Sequence, residues 1–334
     1  MTAESKTAAP SLRIALAQIA PVWLDRAATT DKIVAAIDDA AAQGAGLVAF
    51  GEALLPGYPF WVEHTDGARF ESALQKALYA HYCEQAVVPE RGDLDAIRDA
   101  ARRGGLWVVL GTIERALDRG GHSLYCSLVL IDSDGALRNV HRKLMPTYEE
   151  RLVWAPGDGA GLRTFPVGPF NVGALNCWEN WMPLPRAALS AQGEDLHIAI
   201  WPGSRRNTED ITRFIAREGR SYAVSVGAPL RREDIPDSHP HAALLRERLP
   251  EVCADGGSAV AGPDGQWLLE PQTGEGVFCV DLDPAAVYRE RQNFDPVGHY
   301  SRPDVLSLRL DRRRRSVLED VQSSSENRPD SERP

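Results

Sequence analysis

No stretch of this 334-residue chain stays apolar over the ~18 residues needed to cross a bilayer, so a helical membrane span is excluded. Cysteine is scarce: Cys83, Cys126, Cys177, Cys253 and Cys279 are odd in number, far apart and without a CxxC pair. A disulfide framework and a structural metal site are therefore poor readings, and reduced thiols in a cytoplasmic protein fit best. Positive charge is the minority sign, with 37 Lys and Arg against 47 Asp and Glu. The resulting net charge of −10 argues against nucleic acid as a partner. Residues 1–11 hold no apolar signal-peptide core, which leaves a flexible N-terminus and no secretion as the expectation.

What is present is an ordinary globular composition, 43% hydrophobic and 25% charged, long enough to bury a sizeable core. Leu12–Ala17 and Leu47–Phe50 read as buried strands. Between them, Ile33, Val34, Ile37, Ala40 and Ala41 recur at helical spacing, and Gly44 is a natural helix stop. Helices are expected over 70–82 and 94–103, and a strand over 106–110. The runs 124–131 and 137–141 form a hairpin around Asp132-Ser133-Asp134-Gly135, and 258–261 with 267–269 form another around Pro263-Asp264-Gly265. Strands over 196–201, 222–226 and 277–280 and a charged helix over 208–220 complete the reading. Alternating strands and helices with added hairpins indicate an α/β fold. The catalytic domain is expected over 12–310. From Asp311 the chain turns basic, then polar, and 311–334 reads as a disordered tail or interaction arm. His239 and His241 alternate in the stretch 234–241 without a third ligand, so a solvated loop is expected there.

The most informative residue is Cys177. It directly follows the apolar run Phe170–Leu175 and Asn176, and precedes residues that read as a helix start: Glu179, Trp181, Met182, Leu184, Ala187 and Ala188. A thiol is thus expected at the carboxyl end of a strand, where α/β proteins bind ligands, and near a helix N-terminus, which favours thiolate. Glu52 follows the strand ending at Phe50, and Lys143 follows the one ending at His141. Both charges have apolar neighbours, Ala53-Leu54-Leu55 and Leu144-Met145, where a charge tends to be paired or to carry out chemistry.

Three motifs then resemble the nitrilase family in order: Phe50-Gly51-Glu52-Ala53-Leu54-Leu55-Pro56-Gly57-Tyr58-Pro59, His141-Arg142-Lys143-Leu144-Met145-Pro146-Thr147-Tyr148-Glu149-Glu150-Arg151, and Asn176-Cys177-Trp178-Glu179-Asn180. The last is in the form typical of true nitrilases rather than of their amidase relatives. The stretches 197–202 and 293–300 are also similar, so the resemblance runs from about Leu12 to Pro303. It implies a four-layer αββα sandwich and a Glu52-Lys143-Cys177 site with a second glutamate. That glutamate falls on Glu150, with Glu149 as the fallback. Tyr58, Trp154 and Trp178 match positions that line the family's pocket. Ala155 departs from the glycine usual there, which bears on substrate size. The resemblance also implies a homo-oligomer, a dimer or larger and often a spiral or filament.

A nitrile carbon is a weak electrophile and needs a strong nucleophile. Glu52 can take the Cys177 proton, Lys143 can stabilise charge developing on nitrogen, and Glu150 can orient Lys143. This chemistry calls for no metal or organic cofactor. An aromatic, largely uncharged pocket suits an apolar organic nitrile as the small-molecule substrate. Three other readings remain: an amide or carbamoyl hydrolase, with cyanide hydrolysis as a narrower variant of the nitrile chemistry; a non-enzymatic scaffold; and a Cys-His hydrolase using His141 or His197.

Overall fold

The computed structural model describes residues 11–314 and 318. In the first half, β1 (Leu12–Gln18) leads through α1 (Arg26–Ala42) to β2 (Leu47–Phe50). Helices α2 (Trp61–His64), α3 (Ala73–Gln85) and α4 (Asp95–Gly104) precede β3 (Trp107–Arg115), β4 (Leu124–Ile131) and β5 (Leu137–Arg142). The second half opens with β6 (Phe165–Val167), β7 (Phe170–Asn176), α5 (Pro183–Ser190) and β8 (Leu196–Ile200). It continues with α6 (Arg205–Gly219), β9 (Tyr222–Val226), β10 (Pro229–Arg231), α7 (Ala242–Arg248), β11 (Val252–Ala261) and β12 (Trp267–Thr273). Last come β13 (Gly276–Leu282), which returns to the first sheet, and α8 (Pro284–Arg291).

The strands make two sheets. One runs β13-β1-β2-β3-β4-β5 and the other β10-β11-β9-β8-β7-β6, with β12 paired to β11. Within each, three consecutive strands are parallel: β1, β2 and β3 in the first, β7, β8 and β9 in the second. Both expected hairpins form, as β4–β5 and β11–β12.

Side-chain alternation along the strands decides the layers. Leu16, Ala49 and Leu128 of the first sheet share one buried cluster with Val172, Ile198 and Val224 of the second, so the sheets face each other. The opposite face of the first sheet, with Val48, Phe50 and Val108, meets Ile33 and Ile37 of α1 and Ile97 of α4. On the far side of the second sheet, Ala199, Ala223 and Ala261 receive Ile211 and Ile215 of α6. The order helix, sheet, sheet, helix is the αββα sandwich. A further cluster, built on Trp23, Ala53, Trp61, Tyr82, Ile113, Cys126, Trp154 and Leu245, closes over one end of it. Among the described residues no helix is long and apolar enough to cross a membrane.

Two local expectations change. Residues 177–181 form a 3-10 turn, and the α-helix begins only at Pro183. Met182 is extended (ψ 120°) because proline disfavours the α region in the residue before it, and Pro183 then starts α5 with its φ preset. In the stretch 234–241, His239 is only 4% exposed; its ring stacks on Trp23 and meets His81 edge-on. The solvated-loop reading fails there because two aromatic neighbours, distant in sequence, cover the ring. At the basic run, Arg314 reaches Asp158 at 3.1 Å and the Val140 carbonyl at 2.8 Å. Residues 1–10, 315–317 and 319–334, which hold most of both expected termini, lie outside the described residues.

Candidate active site

Each candidate residue sits just past the carboxyl end of a strand. Glu52 is two residues beyond β2, Lys143 is the first after β5, and Cys177 the first after β7. The two sheets are stitched together at this end: the Glu52 N–H donates to the Trp201 carbonyl, just beyond β8, at 2.9 Å. Gly111 makes room for that crossing, since a Cβ there would stand 2.3 Å from the Gly51 carbonyl oxygen.

The four expected catalytic side chains come together and are buried. Lys143 Nζ lies 2.9 Å from Glu52 Oε1 and 2.7 Å from Glu150 Oε2. Glu52, Glu150 and Cys177 each bring one acidic atom within 4.8 Å of the other two. One ammonium between two carboxylates is the pairing that buried acids need. Glu150, not Glu149, is the lysine's partner, and it also accepts from Tyr58 Oη at 2.8 Å.

Burial governs the protonation states. It pushes Glu52 up to about 7; Lys143 pulls against this and Glu150 adds to it. The Cys177 thiol is pushed up strongly, first by burial and then by Glu52, against the pull of Lys143. For Lys143 burial acts downward, but Glu52, Cys177 and Glu150 outweigh it and hold the ammonium charged. The site therefore holds a charged lysine, a protonated thiol and a carboxyl that titrates near neutrality.

The backbone around these groups is tightly specified. Cys177 has φ +44°, and Ala53 (+52°), next to Glu52, and Tyr148 (+43°), two residues before Glu150, are also left-handed. Such conformations cost free energy for residues other than glycine and persist where surroundings impose them. Two capping boxes do so. Thr147 and Glu150 close one 3-10 turn, with the Thr147 N–H donating to Glu150 Oε2 at 2.6 Å. Asn176 and Glu179 close the other, with the Asn176 N–H donating to Glu179 Oε2 at 2.9 Å. Glu179 also accepts from the Leu144 N–H at 2.7 Å and pairs with His141 Nε2. Asn180 Nδ2 donates to the Cys177 carbonyl, while its Oδ1 meets His197 Nε2; His197 Nδ1 meets Glu194. His141 and His197 are thereby spent on the scaffold of the cysteine turn, which removes the Cys-His reading.

Of the expected pocket residues, Tyr58 and Trp154 meet edge-to-face, and Lys143 Nζ stands 5.6 Å from the centre of a Trp154 ring. Trp178 does not join them. The residue is 50% exposed, and its ring lies beside that of Trp181.

Sequence reasoning missed Glu179 and Cys126. The spacing Asn176-x-x-Glu179 is a capping-box signature, and Thr147-x-x-Glu150 would likewise have selected Glu150 over Glu149. Cys126 alternates with Leu124, Leu128 and Leu130 along β4, a period-2 pattern that puts it on the face turned to the second sheet.

Comparison with known proteins agrees with this arrangement. Residues 13–292 match the carbon-nitrogen hydrolase family. The chain belongs to that family. It is 40% identical over 317 residues to a nitrilase of Pseudomonas syringae pv. syringae, covering 89% of each chain. It is 35% identical over 319 residues to an aliphatic nitrilase of Rhodococcus rhodochrous, covering 91% of this chain and 83% of that one. Among solved structures, an amidase from Nesterenkonia superposes with a TM-score of 0.62 at 22% identity, over 84% of this chain and 96% of the amidase. That likeness shows the shared fold. The protein is a hydrolase of carbon-nitrogen bonds.

Proposed function

We propose that the protein is a nitrilase that converts a small organic nitrile and two waters to a carboxylic acid and ammonia. The observation that carries this reading is the buried thiol of Cys177 beside the Glu52–Lys143–Glu150 chain, in a chain 35–40% identical to named nitrilases over most of its length.

Glu52 takes the Sγ proton as the sulfur attacks the nitrile carbon, and passes it to the nitrogen. With a pKa near 7 it can both accept and return that proton at neutral pH. Two of the Lys143 N–H bonds hold Glu52 and Glu150; the third is left, among the described residues, for the substrate nitrogen. The resulting thioimidate takes up water. Breaking its C–N bond releases ammonia and leaves a thioester, which a second water hydrolyses to the acid and free thiol. Tyr58 holds Glu150 in place and, with Trp154, offers an apolar wall to the substrate. No step calls for a cofactor.

The same reading places the protein in the cytoplasm, where its five free thiols stay reduced, as a homo-oligomer of two or more copies. Trp181, Met182, Leu184 and Phe214 are exposed where α5 and α6 adjoin, and such an apolar face supports self-association.

The test is product analysis after incubation with phenylacetonitrile, an aliphatic dinitrile and benzonitrile, with Cys177→Ala run alongside. Acid from the native protein and none from the variant is the expected outcome. No acid from any nitrile with folded protein would overturn the reading in favour of an amide substrate.

A further inference from the structure

Two thiols, not one, touch the acid-base machinery. Cys126, on β4, is as buried as Cys177. Its Sγ lies 3.3 Å from Glu52 Oε1 and 3.9 Å from Asn176 Oδ1. A thiol has one proton, and the shorter, charged acceptor is Glu52. Burial and the adjacent Glu52 carboxylate both push Cys126 well up, so it stays a thiol and a donor. The same residue holds the lysine, because its backbone carbonyl accepts from the Lys143 N–H at 2.8 Å.

The consequence lies on the Glu52 carboxylate. Oε1 receives both Lys143 Nζ and the Cys126 thiol. Oε2 is buried and has no hydrogen-bond partner among the described residues. A carboxylate whose one oxygen is loaded by two donors offers the other as its base. We propose that Cys126 is a positioning residue for the reaction: its S–H fixes Glu52 through Oε1 and so leaves Oε2 as the oxygen that takes the Cys177 proton. This inference rests on Glu52 acting as the base, as in the proposed nitrilase mechanism. It goes further by giving the second thiol a role and the two carboxylate oxygens different ones.

The titratable groups around Glu52 are Lys143 after β5, Glu150 in its 3-10 turn, Cys177 after β7, Cys126 on β4, Tyr58 and, on α3, Tyr82. Of these, Cys126 is the neutral group that donates to Glu52, so it can lose its donor without removing a charge. Its hydrogen bond favours the ionised form of Glu52, so losing it must move the protonation of Glu52 to higher pH.

The experiment follows the pH dependence of Cys177 alkylation by iodoacetamide, read by peptide mapping, in native protein, Cys126→Ala and Cys126→Ser. Nitrile hydrolysis is followed in parallel. In Cys126→Ala the acid limb is expected to move up by about half a pH unit or more. In Cys126→Ser, whose hydroxyl still donates, the limb stays at or below the native position. A merely structural thiol would lower rates without moving the limb. Coincident limbs for native and Cys126→Ala overturn the proposal, and so does a serine variant that shifts as far as alanine. Where alanine does not fold, Cys126→Val, which also lacks the donor but fills the site, is read in its place, and a limb coincident with the native one overturns the proposal equally. If the native protein left every nitrile untouched, the nitrilase reading would fall while the alkylation limbs still decided the role of Cys126.

Discussion

His141 Nε2 stands 3.0 Å from the Glu179 carboxylate, and this wholly buried pair joins the strand leading to Lys143 to the turn holding Cys177. Glu179 adds the Leu144 and Asn176 backbone N–H groups, so one carboxylate sets the spacing between the ammonium and the nucleophile. Removing one member of a buried pair leaves the other uncompensated, at a cost of about 3–5 kcal/mol. Glu179→Ala should therefore lower stability by that order and reduce kcat more than it raises KM. Urea unfolding and steady-state kinetics check this, and an unchanged midpoint would show that the pair holds nothing together.

The same carboxylate predicts acid sensitivity. Burial alone would raise Glu179, but His141 and the backbone donors outweigh it and hold the group below its ordinary 4.5. A depressed acid contributes stability that is complete above the unfolded value and lost as pH falls through the lower folded value. Native protein should lose stability below about pH 4.5, and Glu179→Gln should show a shallower loss over that range. Equilibrium unfolding between pH 3 and 6 gives the comparison; parallel curves would remove Glu179 as a cause.

Glu52 sets the activity profile, with its pKa displaced upward rather than downward. It works as a base only when ionised, and burial places its pKa at about 7. kcat/KM should rise with pH through about 7 and level off above. Glu52→Gln should lose the limb together with at least the ~10²–10⁴-fold typical of general-base catalysis. A native limb below pH 5 would mean that the carboxylate titrating in catalysis is not this one.

Much of this site was legible in the sequence. Glu52, Lys143 and Cys177 could be read because each follows an apolar strand run, and parallel strands deliver their carboxyl ends to one edge. The α/β alternation and both hairpins followed from periodicity and from Gly135 and Gly265 in the turns, whereas the four-layer sandwich followed from the family resemblance. Contacts between distant segments were not legible. His239 looked like part of a polar loop, yet Trp23 and His81 cover it. The exposed Trp178 ring could not be foreseen, because the left-handed Cys177 redirects the chain just before it. Short β6 and β10 escaped notice because Pro166 and Pro229 lie within them and three residues give no period.

Tyr58 provides the most direct test of how Glu150 is held. Its hydroxyl donates to Glu150 Oε1 at 2.8 Å, while Lys143 Nζ and the Thr147 N–H take Oε2. Tyr58→Phe keeps the ring against Trp154 but removes one of these donors, a change of about 1–3 kcal/mol at a buried charge. The remaining donors both lie on Oε2, so the carboxylate should turn toward them and carry Lys143 away from Glu52. A kcat about tenfold lower with little change in KM is the expected result, since the apolar wall is intact and only the lysine is misplaced. If instead KM rose and kcat held, Tyr58 would be a substrate contact through its hydroxyl, and Glu150 would be held well enough without it.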